Sequence, residues 1–329
     1  VVSSFLLIAI IGTAAFGFAQ NFSGLLISRI LIGVGVSACL MGPLTGYRIW
    51  FADEYQQRAN AWMLMVLSMG FVFSTLPVQI LLPIIGWRWI FGGITVLIFI
   101  VIALTLLFIP SWKTEVNNNH EKNVGSLSDV WKNKFFRSTI PLGLFNYGGL
   151  VAIHTLWAGP WMVRVAGYTP LESATGLFWI NTTMLVAFFV FGYILPKITK
   201  LGLKSMQLMK LGLPISYLSL LVIIISGENA GAIHFTIYIL TSIVLTLTQP
   251  AVALSFPTSL AGKSLTSFNL LIFVGTFIMQ WGIGLIIDLS QSLGKSEVVS
   301  FQISFFIYFL ICIFSYFYFI LKNKNLVNE

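Results

Sequence analysis

Charge is the scarcest commodity in this sequence. Asp, Glu, Lys and Arg make up only 9% of its 329 residues, against a hydrophobic share of 57% and a mean hydropathy of +0.93. Soluble domains carry about 25% charged residues. A chain of this length has no interior large enough to hide so much apolar surface, so a water-soluble fold is excluded and lipid must cover the remainder. Cysteine is nearly absent: Cys39 and Cys312 fall in different apolar runs, which excludes a disulfide framework and leaves them as small packing residues. The three histidines, His120, His154 and His234, are too scattered for a metal site, and neither a Walker loop nor a nucleophile elbow occurs. No metal or cofactor is expected. Acidic residues are missing from the middle of every apolar run, because Glu172, Glu228, Asp288 and Glu297 all lie toward run ends. An intramembrane enzyme therefore has no acid–base pair at depth.

What is present is a series of charge-free runs: 1–28, 30–47, 59–85, 89–112, 138–163, 173–196, 211–227, 229–262, 264–287 and 298–321. A span needs about 20 apolar residues to cross ~30 Å of hydrocarbon, and Lys210 can snorkel to complete the shortest run. The runs are continuous rather than alternating, which predicts helices and not a barrel. The expectation is an all-α integral membrane protein with about ten spans. Alternate connections and both chain ends carry fourteen of the 18 basic residues, among them Arg48, Arg58, Lys197, Lys200, Lys204, Lys210, Lys263, Lys322 and Lys324. Only Arg29, Arg88, Arg164 and Lys295 fall on the other side. The positive-inside rule places both ends and the long polar segment in the cytoplasm, in a multi-pass protein of a bacterial-type inner membrane. Trp50, Trp87, Trp89, Trp112 and Trp131 fall at predicted interfaces, as belt residues should. Topology accounts for the net charge of +8. No basic patch interleaved with aromatics suggests nucleic acid.

The organisation reads as an incomplete first bundle of four spans (1–110), a cytoplasmic linker (111–138) with a short surface helix near 127–136, and a second bundle of six spans (139–329). The bundles echo each other. Pro43, Arg58 and Gly70 recur in order as Pro250, Lys263 and Gly275, the last two pairs offset by 205 residues and the prolines by 207. That pattern suggests a duplicated, pseudo-symmetric bundle, and transporters commonly place the substrate path between such repeats. The opening inside an apolar run at Val1 suggests that two helices of the first copy precede this sequence.

The run Leu26-Ile-Ser-Arg29-Ile-Leu-Ile-Gly33-Val-Gly35 resembles the fourth-helix motif R-x-x-x-G-x-G of the major facilitator superfamily. The turn Gly86-Trp-Arg-Trp89 is similar to that family's turn between helices five and six. The resemblance covers nearly the whole chain and implies helices 3 to 12 of a twelve-helix transporter. Departures accompany it. Pro196 stands where the second-half signature loop would have an aspartate, with Gly202 and Lys204 retained. No Gly-Pro pair marks the fifth family helix, which speaks against drug efflux.

Candidate site residues follow from polar groups inside spans, which need a hydrated cavity or a partner. Arg29 reads either as a coupling or anion-contact group, as the family motif implies, or as an arginine bracing its neighbours. Asn146, Leu150, His154, Trp157 and Trp161 fall at spacings of 4, 4, 3 and 4 and predict one stripe with a protonatable histidine at its centre. His154 reads as a proton or substrate site, or as a neutral histidine bonded to a neighbouring helix. Trp157 and Trp161 read as stacking or belt residues. Asn269, Phe273, Thr276 and Gln280 share a second face. These, with Asn181, Thr182, Thr248, Gln249 and more weakly Tyr47 and Gln79, line a cavity or glue helices together. Gly33, Gly35, Gly70 and Gly275 permit close helix contact, and Pro77 and Pro250 permit hinging.

The expected function is secondary active transport by alternating access. The partners would be the bilayer, a small-molecule substrate and a coupling species: a proton, sodium or a counter-substrate. A cation-containing, carboxylate-poor lining favours a small anionic or polar solute. The competing readings are a transporter-like receptor or sensor, and an inactive truncated paralogue.

Overall fold

The computed structural model describes residues 2–39, 42, 43, 46, 63, 65–108, 126–200 and 205–324, with backbone alone at 192, 195–200, 258 and 259. Tyr47, Arg48, Trp50, Arg58 and Trp112, and most of the 111–138 segment, lie outside the described residues. No strand occurs among the described residues, and six of their helices are long and apolar enough to cross a membrane. The chain is an all-α, multi-pass integral membrane protein. It divides into two compact units, Val1–Asn118 and Asn119–Glu329.

In the first unit, α1 (Val2–Phe18) and α2 (Phe22–Val36) form a tight helical hairpin. Asn21 caps α2 by accepting the Gly24 N–H at 2.7 Å, which satisfies one of the orphan donors of the first turn. Close approach depends on small residues: a methyl group on Gly35 would lie 2.6 Å from the Ala9 Cα, and one on Gly12 2.7 Å from the Ile32 nitrogen. Gly33 does not share this role, since a methyl there meets no described atom within 4 Å, and the same holds for Gly70. They sit at helical positions whose faces point away from the described neighbours.

Residues 65–73 are helical and end in a turn at Ser74–Thr75 just before Pro77. Pro77 cannot donate to the Phe73 carbonyl, so the ladder breaks there. The Ser74 and Thr75 hydroxyls bond back to the Phe71 and Val72 carbonyls. α3 (Leu76–Phe108) is itself broken at Gly86, whose φ of 74° is open to glycine at little cost. The expected Gly86-Trp-Arg-Trp89 turn is thus a real corner. Arg88 stacks on Trp87 at 4.2 Å and reaches the Ala19 carbonyl at 3.2 Å, tying the corner to the end of α1. Deeper along the pair, the Thr95 hydroxyl donates to that of Thr13 at 2.9 Å.

The second unit opens with α4 (Leu127–Lys132), held by a capping box between Ser126 and Asp129. The short helix expected near 127–136 stops at Asn133, whose side chain caps the next helix by accepting the Phe136 N–H at 3.0 Å. α5 then runs over 134–164 and includes two π-helical stretches, Leu142–Tyr147 and Ile153–Trp157. The second lies just before Pro160, which cannot donate to the Leu156 carbonyl. Widened turns of this kind recur at functional sites. The remaining helices are α6 (Pro170–Lys200), α7 (Ser205–Ser226), α8 (Ala232–Leu254), α9 (Thr258–Ser292) and α10 (Glu297–Lys322). α8 tightens to a 3₁₀ stretch at Ser242–Leu247, immediately before Pro250, as expected where proline removes a donor.

One aromatic and aliphatic core unites this unit. Trp161, Phe235, Phe301 and Phe305 meet ring to ring inside it, each with essentially no exposure. α5 and α9 cross with backbones nearly touching, since a methyl on Gly148 would lie 2.7 Å from the Gly275 carbonyl carbon. A methyl on Gly275 would itself run into the Leu144 backbone.

Candidate functional site

The buried polar groups of the second unit fall into two sets. In the first, Asn146 is surrounded by α7 and α10. Its Oδ1 accepts the Tyr217 hydroxyl at 2.6 Å, and its Nδ2 donates to the Ser315 hydroxyl and to the Cys312 carbonyl. A tyrosine pair, Tyr238 and Tyr308, lies in the same interior with hydroxyls 3.0 Å apart. Asn146 is 2% exposed. An amide with this many protein partners has little capacity left for a solute, and its bonds join α5 to α7 and α10. Trp161 is likewise internal, with its indole N–H donating to the Ala230 carbonyl at 3.1 Å. This corrects both the belt and the stacking reading for that residue.

The single stripe from Asn146 to Trp161 is also corrected. These residues address different neighbours: α7 and α10 for Asn146, α6 for His154, α9 for Trp157, and the turn before α8 for Trp161. Two π-helical turns widen the helix between them, so residues spaced by four do not stay on one face.

The second set gathers on the π turn Ile153–Trp157. The His154 ring nitrogen Nε2 lies 2.8 Å from Asn181 Oδ1 on α6. Thr155, one residue on, accepts the Gln280 amide of α9 at 3.1 Å, and the Trp157 indole N–H donates to the Gln280 carbonyl at 3.1 Å. One widened turn of α5 thus ties itself to α6 through one side chain and to α9 through two. On α9, eleven residues before Gln280, Asn269 accepts the Gln249 amide of α8 at 2.7 Å. His154, Trp157, Gln249, Asn269 and Gln280 are all half-buried, in contrast to Asn146. Thr182 bonds to the Phe178 carbonyl of its own helix, and Thr248 faces Met209 from a buried position.

Arg29 belongs to the first unit. Its guanidinium lies over the rings of Phe16 and Phe91, at 4.5 and 5.4 Å, and its side chain is otherwise exposed. At an exposed position such stacking contributes about 0.5–1 kcal/mol per ring. It fixes where the charge sits and leaves the N–H groups usable. Among the described residues of the second unit, charged side chains lie toward helix ends, where Arg164 faces Glu297 at 3.5 Å and Glu172 accepts the Thr169 N–H at 2.8 Å. No group of side chains among the described residues could hold a metal ion.

Reasoning from sequence missed Thr155 and the tyrosines Tyr217, Tyr238 and Tyr308. A signal existed for the tyrosines, because a phenol in the middle of an apolar span must find a hydrogen-bond partner. None existed for Thr155, whose importance depends on Gln280, 125 residues away.

Comparison with known proteins agrees with this architecture. The chain matches the Major Facilitator Superfamily profile over residues 1–280. Among solved structures it is similar to a bacterial homologue of the human lysosomal transporter Spinster in an inward-facing and occupied conformation. The TM-score is 0.72 at 12% identity, covering 98% of this chain and 82% of that one. The inward-facing and unoccupied structure of such a homologue matches with a TM-score of 0.64 at 13% identity and the same coverage. No curated protein sequence matches the chain. At these identities the structural likeness speaks to fold, and the profile speaks to descent: the chain belongs to the Major Facilitator Superfamily of membrane transporters.

Proposed function

We propose that this chain is a secondary active transporter that moves a small anionic or polar solute by alternating access, with both ends cytoplasmic. The observation that carries the proposal is the polar node on α5. His154 and Trp157, half-buried, and Thr155, exposed, reach two neighbouring helices through hydrogen bonds inside spans otherwise made of apolar residues. Hydrogen bonds between membrane helices contribute about 0.6 kcal/mol each. Bonds this weak can be exchanged for bonds to a solute, whereas the Asn146 cluster would lose several at once. Uncharged amide, hydroxyl and indole groups beside a histidine, with no carboxylate at depth among the described residues, suit a polar or anionic solute better than a cation. Alternating access would proceed by one repeat rocking against the other, as the repeat pattern suggests.

The test is reconstitution in liposomes, with uptake of labelled small carboxylates, phosphate esters and neutral sugars under imposed proton or sodium gradients. Accumulation of one class that collapses with the gradient is the expected result. Purely downhill movement of every class, or no movement, would reject secondary active transport.

A further inference from the structure

We propose that the first unit carries a phosphate-binding site, built from Arg29 and Arg88 on one shared aromatic cluster. The site belongs to α1, α2 and α3 and does not rest on the α5 node of the second unit.

Charge balance points to it first. Arg29 and Arg88 are the only charged side chains among the described residues of the first unit, which include no Asp, Glu or Lys. Arg29 stands seven residues beyond Phe22, about 10 Å into α2 along its axis. An arginine inside an apolar span is costly unless something neutralises it or accepts its hydrogen bonds. Among the described residues Arg29 has no carboxylate partner and donates to no carbonyl.

The rings explain how the two charges come together. Phe16 of α1 meets Phe91 of α3 with centroids 4.2 Å apart, and meets Trp87 edge to face at 5.6 Å. The Arg29 guanidinium lies over Phe16 and Phe91, and that of Arg88 lies over Trp87 at 4.2 Å. A single ring contact, Phe16 on Trp87, therefore separates the rings that carry the two cations. The corner at Gly86 delivers Trp87 and Arg88 to this place, and the Ala19 carbonyl holds Arg88 there at 3.2 Å.

Stacking uses the flat face of a guanidinium and leaves its five N–H donors in the plane beyond the ring edge. Arg88 commits one of them to Ala19, as an arginine bracing two helices does. Arg29 is clamped by rings instead, so its fork is fixed in place with its donors unspent among the described residues. A fork held in advance loses less side-chain entropy when a ligand arrives. Guanidinium forks match carboxylate and phosphate oxygens bidentately, through bonds about twice as strong as neutral ones. A carboxylate's two oxygens are filled by one fork, whereas a phosphate monoester keeps further oxygen and charge for a second cation. Two arginines with no acid beside them among the described residues also make a positive field that draws anions in. A dissolved phosphate and a lipid headgroup present this same group.

The test takes the full chain in neutral maltoside detergent and phosphate-free buffer, with phenylglyoxal modification of each arginine followed by peptide mass spectrometry. Inorganic phosphate, or phosphatidic acid added to the micelles, should slow modification of Arg29 and Arg88. Arg164, already facing Glu297 in the second unit, should react at an unchanged rate. Protection by phosphate alone supports the site with a dissolved ligand, and protection by phosphatidic acid alone supports it with a lipid headgroup. Protection by neither, or equal slowing at Arg164, would overturn the proposal. Binding of the protecting probe, radiolabelled, should weaken about tenfold in Arg29→Gln and severalfold in Arg88→Gln, with Arg29→Lys recovering part of the loss. Undiminished binding by Arg29→Gln protein would overturn it equally. Neither measurement reads solute movement, so failure here leaves the transport proposal standing, and a chain that moves no solute leaves this site standing.

Discussion

Asn146 and His154 stand eight residues apart on α5, and each is a polar side chain in the middle of an apolar span. Asn146 is sealed among Tyr217, Ser315 and the Cys312 carbonyl. His154 is half-buried and shares its turn with Thr155 and Trp157, both bonded to α9. The same chemical class thus does two jobs on one helix. The difference lies in how much hydrogen-bonding capacity the protein itself consumes. Where partners from two helices converge, an amide fixes the bundle. Where the bonds run outward to separate helices from less buried side chains, the group is placed to exchange them with a solute.

The comparison can be broken most severely at the crossing that sets both regions. Gly275→Val puts side-chain atoms into the Leu144 backbone, and overpacking of this kind costs about 3 kcal/mol or more. Folded protein recovered by size-exclusion chromatography in detergent should fall sharply, with loss of both the Asn146 cluster and the node. Next, Asn146→Ala strands the Tyr217 hydroxyl and should destabilise by about 1–3 kcal/mol. Thermal unfolding in detergent would show it, and recovered protein should retain the coupling behaviour of the unsubstituted chain. Gln280→Leu removes the amide that reaches Thr155 and leaves the carbonyl that accepts from Trp157. Stability should shift by only ~0.6 kcal/mol, while solute uptake falls severalfold. Least of all, Gly33→Ala should stay within ~0.5 kcal/mol in the same unfolding assay, although Gly35, two residues on, cannot accept a methyl group without displacing Ala9.

That last contrast shows how far the sequence could be read. Charge-free runs announce spans because lipid admits little else, and the Gly86 corner is marked by a residue and motif that few other geometries need. The motif around Arg29 also identifies two glycines, but its spacing cannot say which one meets α1. Gly35 abuts Ala9, 26 residues earlier, and only the crossing angle selects it. The candidate site follows the same division. His154 and Gln280 are visible as polar residues at depth, yet Asn146 looked equivalent to them, because its partners come from positions 71 and 169 residues away. The π turns were hidden too. A proline at 160 hints at an irregular helix, but whether the turn widens depends on the helices packed around it. The stripe drawn at α-helical spacing failed for that reason.

The account stands or falls on separating scaffold from node, and His154→Gln separates them most directly. Glutamine can still donate to Asn181, so stability should change by less than ~1 kcal/mol, but it offers a solute an amide in place of the imidazole. In proteoliposomes with a solute the unsubstituted protein accumulates, the account predicts that His154→Gln protein accumulates that solute severalfold more slowly. Undiminished gradient-driven accumulation by the substituted protein would contradict it.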